Sequence, residues 1–210
     1  GKVTILCLGP ERATEAIRTA LAMGADDAVH LLDPLFEGGD AFATAKALAK
    51  AAEKMEYDLI LCGKQAIDDD LAQVGSILGE FLKIPTVTGI VKLEISSDGK
   101  KATVHRQVEG GLDVIEVPLP AVFTASKGLN EPRYPSLPGI MKAKKKPLQT
   151  LTASDLGLGE DEIGAKGSHI RILSFSLPPM RKEGKIVEGE TPEEKAANLA
   201  KLLREEAKVI

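Results

Sequence analysis

Leu59-Ile60-Leu61-Cys62-Gly63-Lys64-Gln65-Ala66-Ile67-Asp68-Asp69-Asp70-Leu71-Ala72-Gln73-Val74 identifies the architecture. It opens as a short apolar run of strand length, and Gly63 ends the run. From Leu71 the apolar positions Leu71, Val74, Leu78 and Phe81 return every three or four residues, as on one face of a helix. A strand that feeds a helix through a glycine-opened turn is the repeating joint of an open α/β sheet. Ligands of such sheets sit beyond the carboxyl ends of the strands. Asp70, followed by Gln73, predicts an N-cap and a capping box for a helix over residues 71–82.

Upstream the same joint recurs. Residues 3–8 read as a buried strand closed by Gly9-Pro10, and residues 14–23 as a helix with Ile17, Ala20 and Leu21 on one face. A strand at 28–32 and an alanine-rich helix at 41–55 lead back to Leu59. This alternation predicts parallel strands joined by right-handed crossovers within one doubly wound sheet. From Pro85 the pattern becomes apolar/polar alternation at 88–95, 102–108 and 112–117, with turns at 96–100 and at Gly110-Gly111, which predicts added antiparallel strands. Residues 118–125 return as a further buried strand.

Residues 129–147 contain Pro132, Pro135, Pro138 and Pro147, which exclude a long helix, and they carry Tyr134, Leu137, Ile140 and Met141 as a presented apolar loop. The stretch 157–179 reads as irregular apart from a candidate strand at 170–177. Thr191-Pro192 with Glu194 then predicts a capped terminal helix, of the kind that docks on a partner. The domain organisation expected is an α/β domain over residues 1–147, including the loop at 129–147, and an extended arm over residues 148–210.

Composition narrows the function classes. The chain of 210 residues is 43% hydrophobic and 28% charged, with a formal charge of -4. It has no apolar run of membrane-spanning length and no overall basic balance, so no nucleic-acid partner is expected. The one dense basic run, Lys142 to Lys146, is a solvated face or a docking patch. Cys7 and Cys62 lie in apolar strands and read as buried free thiols of a reducing compartment, with no metal-ligand spacing. Because the sequence starts directly on a core strand, the first strand and helix of the α/β domain are expected to lie upstream and to be missing.

The turn at 63–74 is a candidate phosphate cradle, since the first backbone N–H groups of the helix, near Ala72, Gln73 and Val74, point into the crevice above the sheet. The tip Leu8-Gly9-Pro10 is its second wall. Asp68, Asp69 and Asp70 would repel a phosphate that they faced, so at least two are expected to point away, with Asp70 committed to capping. Paired aspartates could instead hold magnesium. Ser76, Ser126, Ser136 and Ser154 lack a nucleophile context and His30, His105 and His169 are dispersed, so no acid-base machinery is read.

Three blocks carry a family resemblance: residues 63–70, Val104-His105-Arg106-Gln107-Val108-Glu109-Gly110-Gly111, and residues 129–146 beginning Leu129-Asn130-Glu131-Pro132-Arg133-Tyr134. On these the chain resembles the beta subunits of electron transfer flavoproteins. The resemblance implies a Rossmann-like, adenine nucleotide alpha hydrolase-like α/β fold, doubly wound and mainly parallel, with antiparallel additions and an extended C-terminal arm.

It also implies a heterodimer with an alpha subunit that holds FAD, while this subunit holds AMP or, in electron-bifurcating members, a second FAD. The implied partners are an acyl-CoA or related flavoprotein dehydrogenase and an electron transfer flavoprotein-quinone oxidoreductase. The cytoplasm, or the mitochondrial matrix in a eukaryote, is the implied compartment. The nucleotide-site residues it implies are Leu8, Gly9, Gly63, Asp69, Leu71, Ala72, Gln73 and Val74. The docking residues are Tyr134, Leu137, Pro138, Ile140 and Met141, with Leu137 as anchor and Arg133 near the flavin or an acidic group of the alpha subunit.

Cues conflict between AMP-bearing and bifurcating members, so that choice stays open. A universal-stress-type nucleotide sensor would lack the proline-rich loop and the tail, and a magnesium-dependent hydrolase would turn over ATP alone.

Overall fold

The alternation of strands and helices is present in the computed structural model, which describes residues 1–180 and 183–210. Strand β1 (Thr4–Leu8), helix α1 (Ala13–Ala22), strand β2 (Asp27–Leu31), helix α2 (Ala41–Ala52), strand β3 (Leu59–Gly63) and helix α3 (Val74–Leu82) follow in order. Then come β4 (Thr86–Ile95), β5 (Lys101–Val108), β6 (Gly111–Pro118) and β7 (Ala121–Ala125), followed by α4 (Leu137–Ala143) and β8 (Leu148–Leu151). Two short helices, α5 (Ala153–Leu156) and α6 (Gly164–Gly167), end the larger compact unit, Gly1–Arg171.

The expectation of one sheet is corrected. Hydrogen bonding forms two, a parallel β1-β2-β8 sheet and a five-stranded sheet ordered β3-β7-β4-β5-β6. In the second, β3, β7 and β4 are parallel, and the hairpin β5-β6 adds antiparallel strands, as the alternation predicts. Among the described residues β1 pairs only with β2 and β3 only with β7, so each keeps a free edge. The consequence is visible in burial. Ala121, Val122, Phe123 and Thr124 of the interior strand β7 are buried, whereas Leu61 of β3 is 54% exposed.

Helix α2 joins the two sheets. Asp40 caps it by accepting from Ala43 N–H at 2.9 Å. Ala47 and Ala51 pack with Leu6, Leu8, Val29 and Leu31 of the first sheet, and Ala45 and Ala49 with Ile60, Cys62, Val74 and Leu78 on the other side. A helix enclosed on two faces needs small side chains, and alanine also has the highest helix propensity. Larger residues there would force the layers apart.

Three local expectations change. The cysteines are half-buried rather than buried, and partial burial pushes both thiols above their ordinary range. Strand β8 lies just after Pro147, where four residues are too few to show alternation. The candidate strand at 170–177 does not form, and Ile172, Leu173, Phe175 and Leu177 are exposed without a ladder partner.

The second compact unit, Ile172–Ile210, contains helix α7 (Pro192–Leu202). Its expected cap is present: the Thr191 side chain accepts from Glu194 N–H and Pro192 occupies the first turn. Only half of the capping box forms, because the Glu194 carboxylate accepts from Glu190 N–H instead of Thr191 N–H. No residue of α7 is buried.

Candidate functional site

The turn between β3 and α3 begins tied to the sheet, where Lys64 N–H donates to the Ala125 carbonyl at 3.0 Å. It then leaves the protein surface. Every residue from 63 to 71 is exposed, and Ile67 is fully so. Helix α3 starts later than the sequence predicts, at Val74 with Gln73 as N-cap, and the Gln73 side chain makes no cap hydrogen bond.

The Asp70 cap is therefore corrected. Asp70 sits in the left-handed region at φ 55° and its carboxylate accepts from the Gln65 side-chain amide. An aspartate tolerates that region because its short polar group bonds locally, and the local bond outcompetes the cap. Ala72 also has φ 55°. An alanine there stores strain of about 1–2 kcal/mol.

All three carboxylates are occupied within the turn. Asp68 accepts from Asp69 N–H at 3.0 Å, and Asp69 from Leu71 N–H at 3.2 Å. Asp69 thereby closes an Asx turn onto Leu71, whereas Asp68 bonds the neighbouring amide. Among the described residues no acceptor takes the N–H groups of Val74, Gly75 and Ser76, which open the helix.

Glycine is required behind these groups. A Cβ on Gly75 would lie 2.5 Å from Thr124 Cγ2 and 3.6 Å from Cys62 Cβ, and one on Gly79 would collide with Thr86. The helix therefore sits directly on β7 and β4, which fixes the direction of its N–H groups. The Thr124 hydroxyl also accepts from Gly89 N–H at 3.0 Å, holding the irregular step in β4 where Gly89 has φ 69°.

Leu8 and Gly9 end β1. Gly9 N–H donates to Leu31 O at 3.3 Å, and His30 Nε2 lies 2.9 Å from the Gly9 carbonyl. Gly63 ends β3, where an added Cβ would meet nothing within 4 Å and the approach is open. Both tips thus lie at the carboxyl ends of parallel strands that pack on α2.

Ala72 and Gln73 line a cleft of about 530 Å³ with Asp40, Phe42, Ser76, Ile77, His169 and Ile170. That volume is in the range of small-molecule sites. His169 lies tilted over Phe42 at 4.3 Å between centroids, and Phe42 meets Phe81 edge-on at 5.2 Å. Asp40 anchors the wall by accepting from His169 N–H at 2.7 Å and Ile170 N–H at 3.1 Å. Burial alone would raise the Asp40 carboxyl, but these bonds, with Ala43 N–H and the Ser168 hydroxyl, hold it below its usual range.

The sequence reading missed Asp40, Phe42 and His169. An aspartate ahead of an alanine run is a legible cap, but nothing marks His169, which is brought in from more than a hundred residues away.

The presented loop is partly helical. Ser136 caps α4 by accepting from Gly139 N–H at 3.1 Å, and Pro138 fits the first turn. Tyr134 is 94% exposed, Leu137 75% and Met141 68%; Pro138 and Ile140 are exposed too. The helix is seated on α1. Arg18 donates to Ala143 O and Lys146 O, and Lys146 Nζ donates to Leu21 O and Ala25 O. Of the basic run, Lys146 is thus a C-cap for α1, whereas Lys142, Lys144 and Lys145 are exposed. Arg133 lies beside Gly24.

Among the described residues no helix is long and apolar enough to cross a membrane. The electron transfer flavoprotein domain family matches residues 1–156. An electron transfer flavoprotein subunit beta of Thermoanaerobacterium thermosaccharolyticum is 49% identical over 92% of this chain and 74% of its own length. One of Bacillus subtilis is 47% identical over 100% of this chain and 80% of its own. The caffeyl-CoA reductase-Etf complex subunit CarD of Acetobacterium woodii is 42% identical over 97% and 78%. Matches of this extent cover the β3–α3 turn, the β5–β6 hairpin and the α4 segment together, and the chain belongs to the electron transfer flavoprotein family as a beta subunit with a general role in electron transfer.

Proposed function

We propose that the chain binds the phosphate of an adenine nucleotide, AMP or the AMP half of a second FAD, at the start of α3 and presents α4 to a flavoprotein dehydrogenase. The observation that carries this reading is the row of N–H groups at Val74, Gly75 and Ser76 that no acceptor takes among the described residues, with the neighbouring carboxylates hydrogen-bonded within the turn. Helix N-termini attract anions through free donors and the helix dipole. Leu8 and Gly9 form one wall of the site, Gly63 the open floor, and Asp69, Leu71, Ala72, Gln73 and Val74 the other wall. Ala72 offers no polar side chain, so the binding is by backbone donors.

FAD in an alpha subunit carries the electrons in this scheme. The nucleotide bound by this chain is structural when it is AMP and a second electron site when it is FAD. Tyr134, Leu137, Pro138, Ile140 and Met141 supply the docking surface, and Leu137 is the anchor that enters an apolar pocket. Burying one leucine contributes about 1.5–3 kcal/mol, enough to orient a complex and little enough to let it exchange. Residues 148–210 are the arm that holds the alpha subunit; the unburied apolar groups of the unit Ile172–Ile210, Phe175, Leu177 and Leu199 among them, suit that use. A quinone oxidoreductase is the acceptor.

The test is to denature the purified assembly and measure released AMP and FAD. One of each per complex supports simple carriage, and two FAD support bifurcation. Release of FAD from the alpha subunit alone, with no second adenine nucleotide, sinks the reading. The name of the Acetobacterium relative favours a second arrangement, a subunit within a CoA-ester reductase complex, which co-purification would reveal.

A further inference from the structure

We propose that His30 is a positioning residue for the nucleotide site, holding the Gly9 carbonyl out of the crevice so that no acceptor dipole faces the ligand phosphate. This role presupposes the nucleotide site at the start of α3. His30 lies in β2 and is 1% exposed, and its Nε2 is 2.9 Å from Gly9 O. A carbonyl oxygen can only accept, so the proton is on Nε2 and the ring is fixed in one tautomer or doubly protonated. The other polar group of Gly9 is also held, by Leu31 O. The next residue, Pro10, has no N–H. Consecutive residues of β2 therefore clamp both sides of the Gly9 peptide.

Without the donor, the partly buried Gly9 carbonyl is left unpaired; because Pro10 fixes its own φ, the oxygen reaches solvent only by a change in Gly9 ψ that carries the turn from Pro10 with it, toward the crevice. A partial negative charge there repels a phosphate and is indifferent to a neutral nucleoside. The signature of the role is therefore a difference between ligands of unequal charge.

The experiment uses the full-length protein in its native assembly, stripped of nucleotide, with AMP and adenosine as probes. His30→Phe keeps a ring of similar size but no donor, and His30→Gln restores an N–H donor. AMP is expected to bind about tenfold more weakly to His30→Phe, adenosine within about twofold of wild type, and His30→Gln to recover most of the AMP affinity. Equal weakening for both probes in His30→Phe, or no change in either, overturns the inference while leaving the site intact. Failure of the wild-type protein to bind AMP overturns the nucleotide reading itself, and the inference with it. Should His30→Phe not fold, long-range proton–nitrogen correlation on the wild type decides: a proton on Nε2 is expected, and a neutral ring protonated only at Nδ1 refutes the clamp.

Discussion

The two strand-to-helix turns proposed as the walls of the nucleotide site are built in opposite ways. At the end of β1 the chain turns within a few residues, and both polar groups of Gly9 are taken by β2. At the end of β3 it wanders through residues 64–73, exposed except at Ala72, with two non-glycine residues in the left-handed region and carboxylates bonded within the turn. One wall is completed by the protein; the other leaves donors unpaired. If the proposed nucleotide binds there, one surface serves as a fixed reference and the other is completed by the ligand.

The largest expected effect lies behind the second wall. Gly75→Ala pushes a methyl to within 2.5 Å of Thr124 Cγ2, so the helix or the buried Thr124 side chain must shift to relieve it. The expected loss is about 1–3 kcal/mol, measured by denaturant unfolding, together with loss of retained nucleotide. Gly9→Ala meets only the Ala13 methyl at 3.2 Å, so a loss under about 1 kcal/mol is expected at the first wall. A larger loss at Gly9 than at Gly75 would reverse the assignment of which wall is the tighter.

Backbone strain separates the walls further. Ala72→Gly removes the left-handed penalty and is expected to raise stability by up to about 1 kcal/mol, after the entropy cost of glycine, in nucleotide-free protein. A fall in stability would mean that the methyl packs usefully. The separate docking surface provides a control. Ser136→Ala removes the cap of α4 and is expected to cost about 1 kcal/mol locally, slowing dehydrogenase-dependent reduction while retained nucleotide stays constant.

The smallest effect concerns pH. The Asp40 carboxyl titrates below its ordinary range in the folded chain, so its contribution is present above the unfolded value of about 3.9 and is lost as pH falls through the folded value. As pH falls through that depressed folded value, the backbone at His169 and Ile170 should therefore detach from Asp40. Faster amide exchange at those two residues checks it, and Asp40→Asn should flatten the pH dependence.

Much of the fold was legible because its signals are local. Gly9-Pro10 and Gly63 end strands wherever they stand, the periodicity of Ile17 and Leu21 predicts α1, and Thr191-Pro192 with Glu194 predicts the cap of α7. Asp70 misled because an aspartate before a helical pattern can either cap the helix or bond within the preceding turn, and only the turn's course back to the Gln65 side chain selected the second. Lys146 was indistinguishable from its basic neighbours in sequence, yet it alone reaches the carbonyls of Leu21 and Ala25.

From sequence come the alternation of elements, the glycine-opened turn and the family to which the motifs are similar, since each depends on residues close in the chain. Tertiary structure settled what depends on distant partners: the division of the strands into two sheets, the burial of His30 against Gly9, the seat of α4 on α1, and the cleft that Asp40 and His169 close beside Gln73. Backbone hydrogen bonds between distant segments are invisible in sequence because every residue offers nearly the same donor and acceptor, and only packing chooses which ones meet.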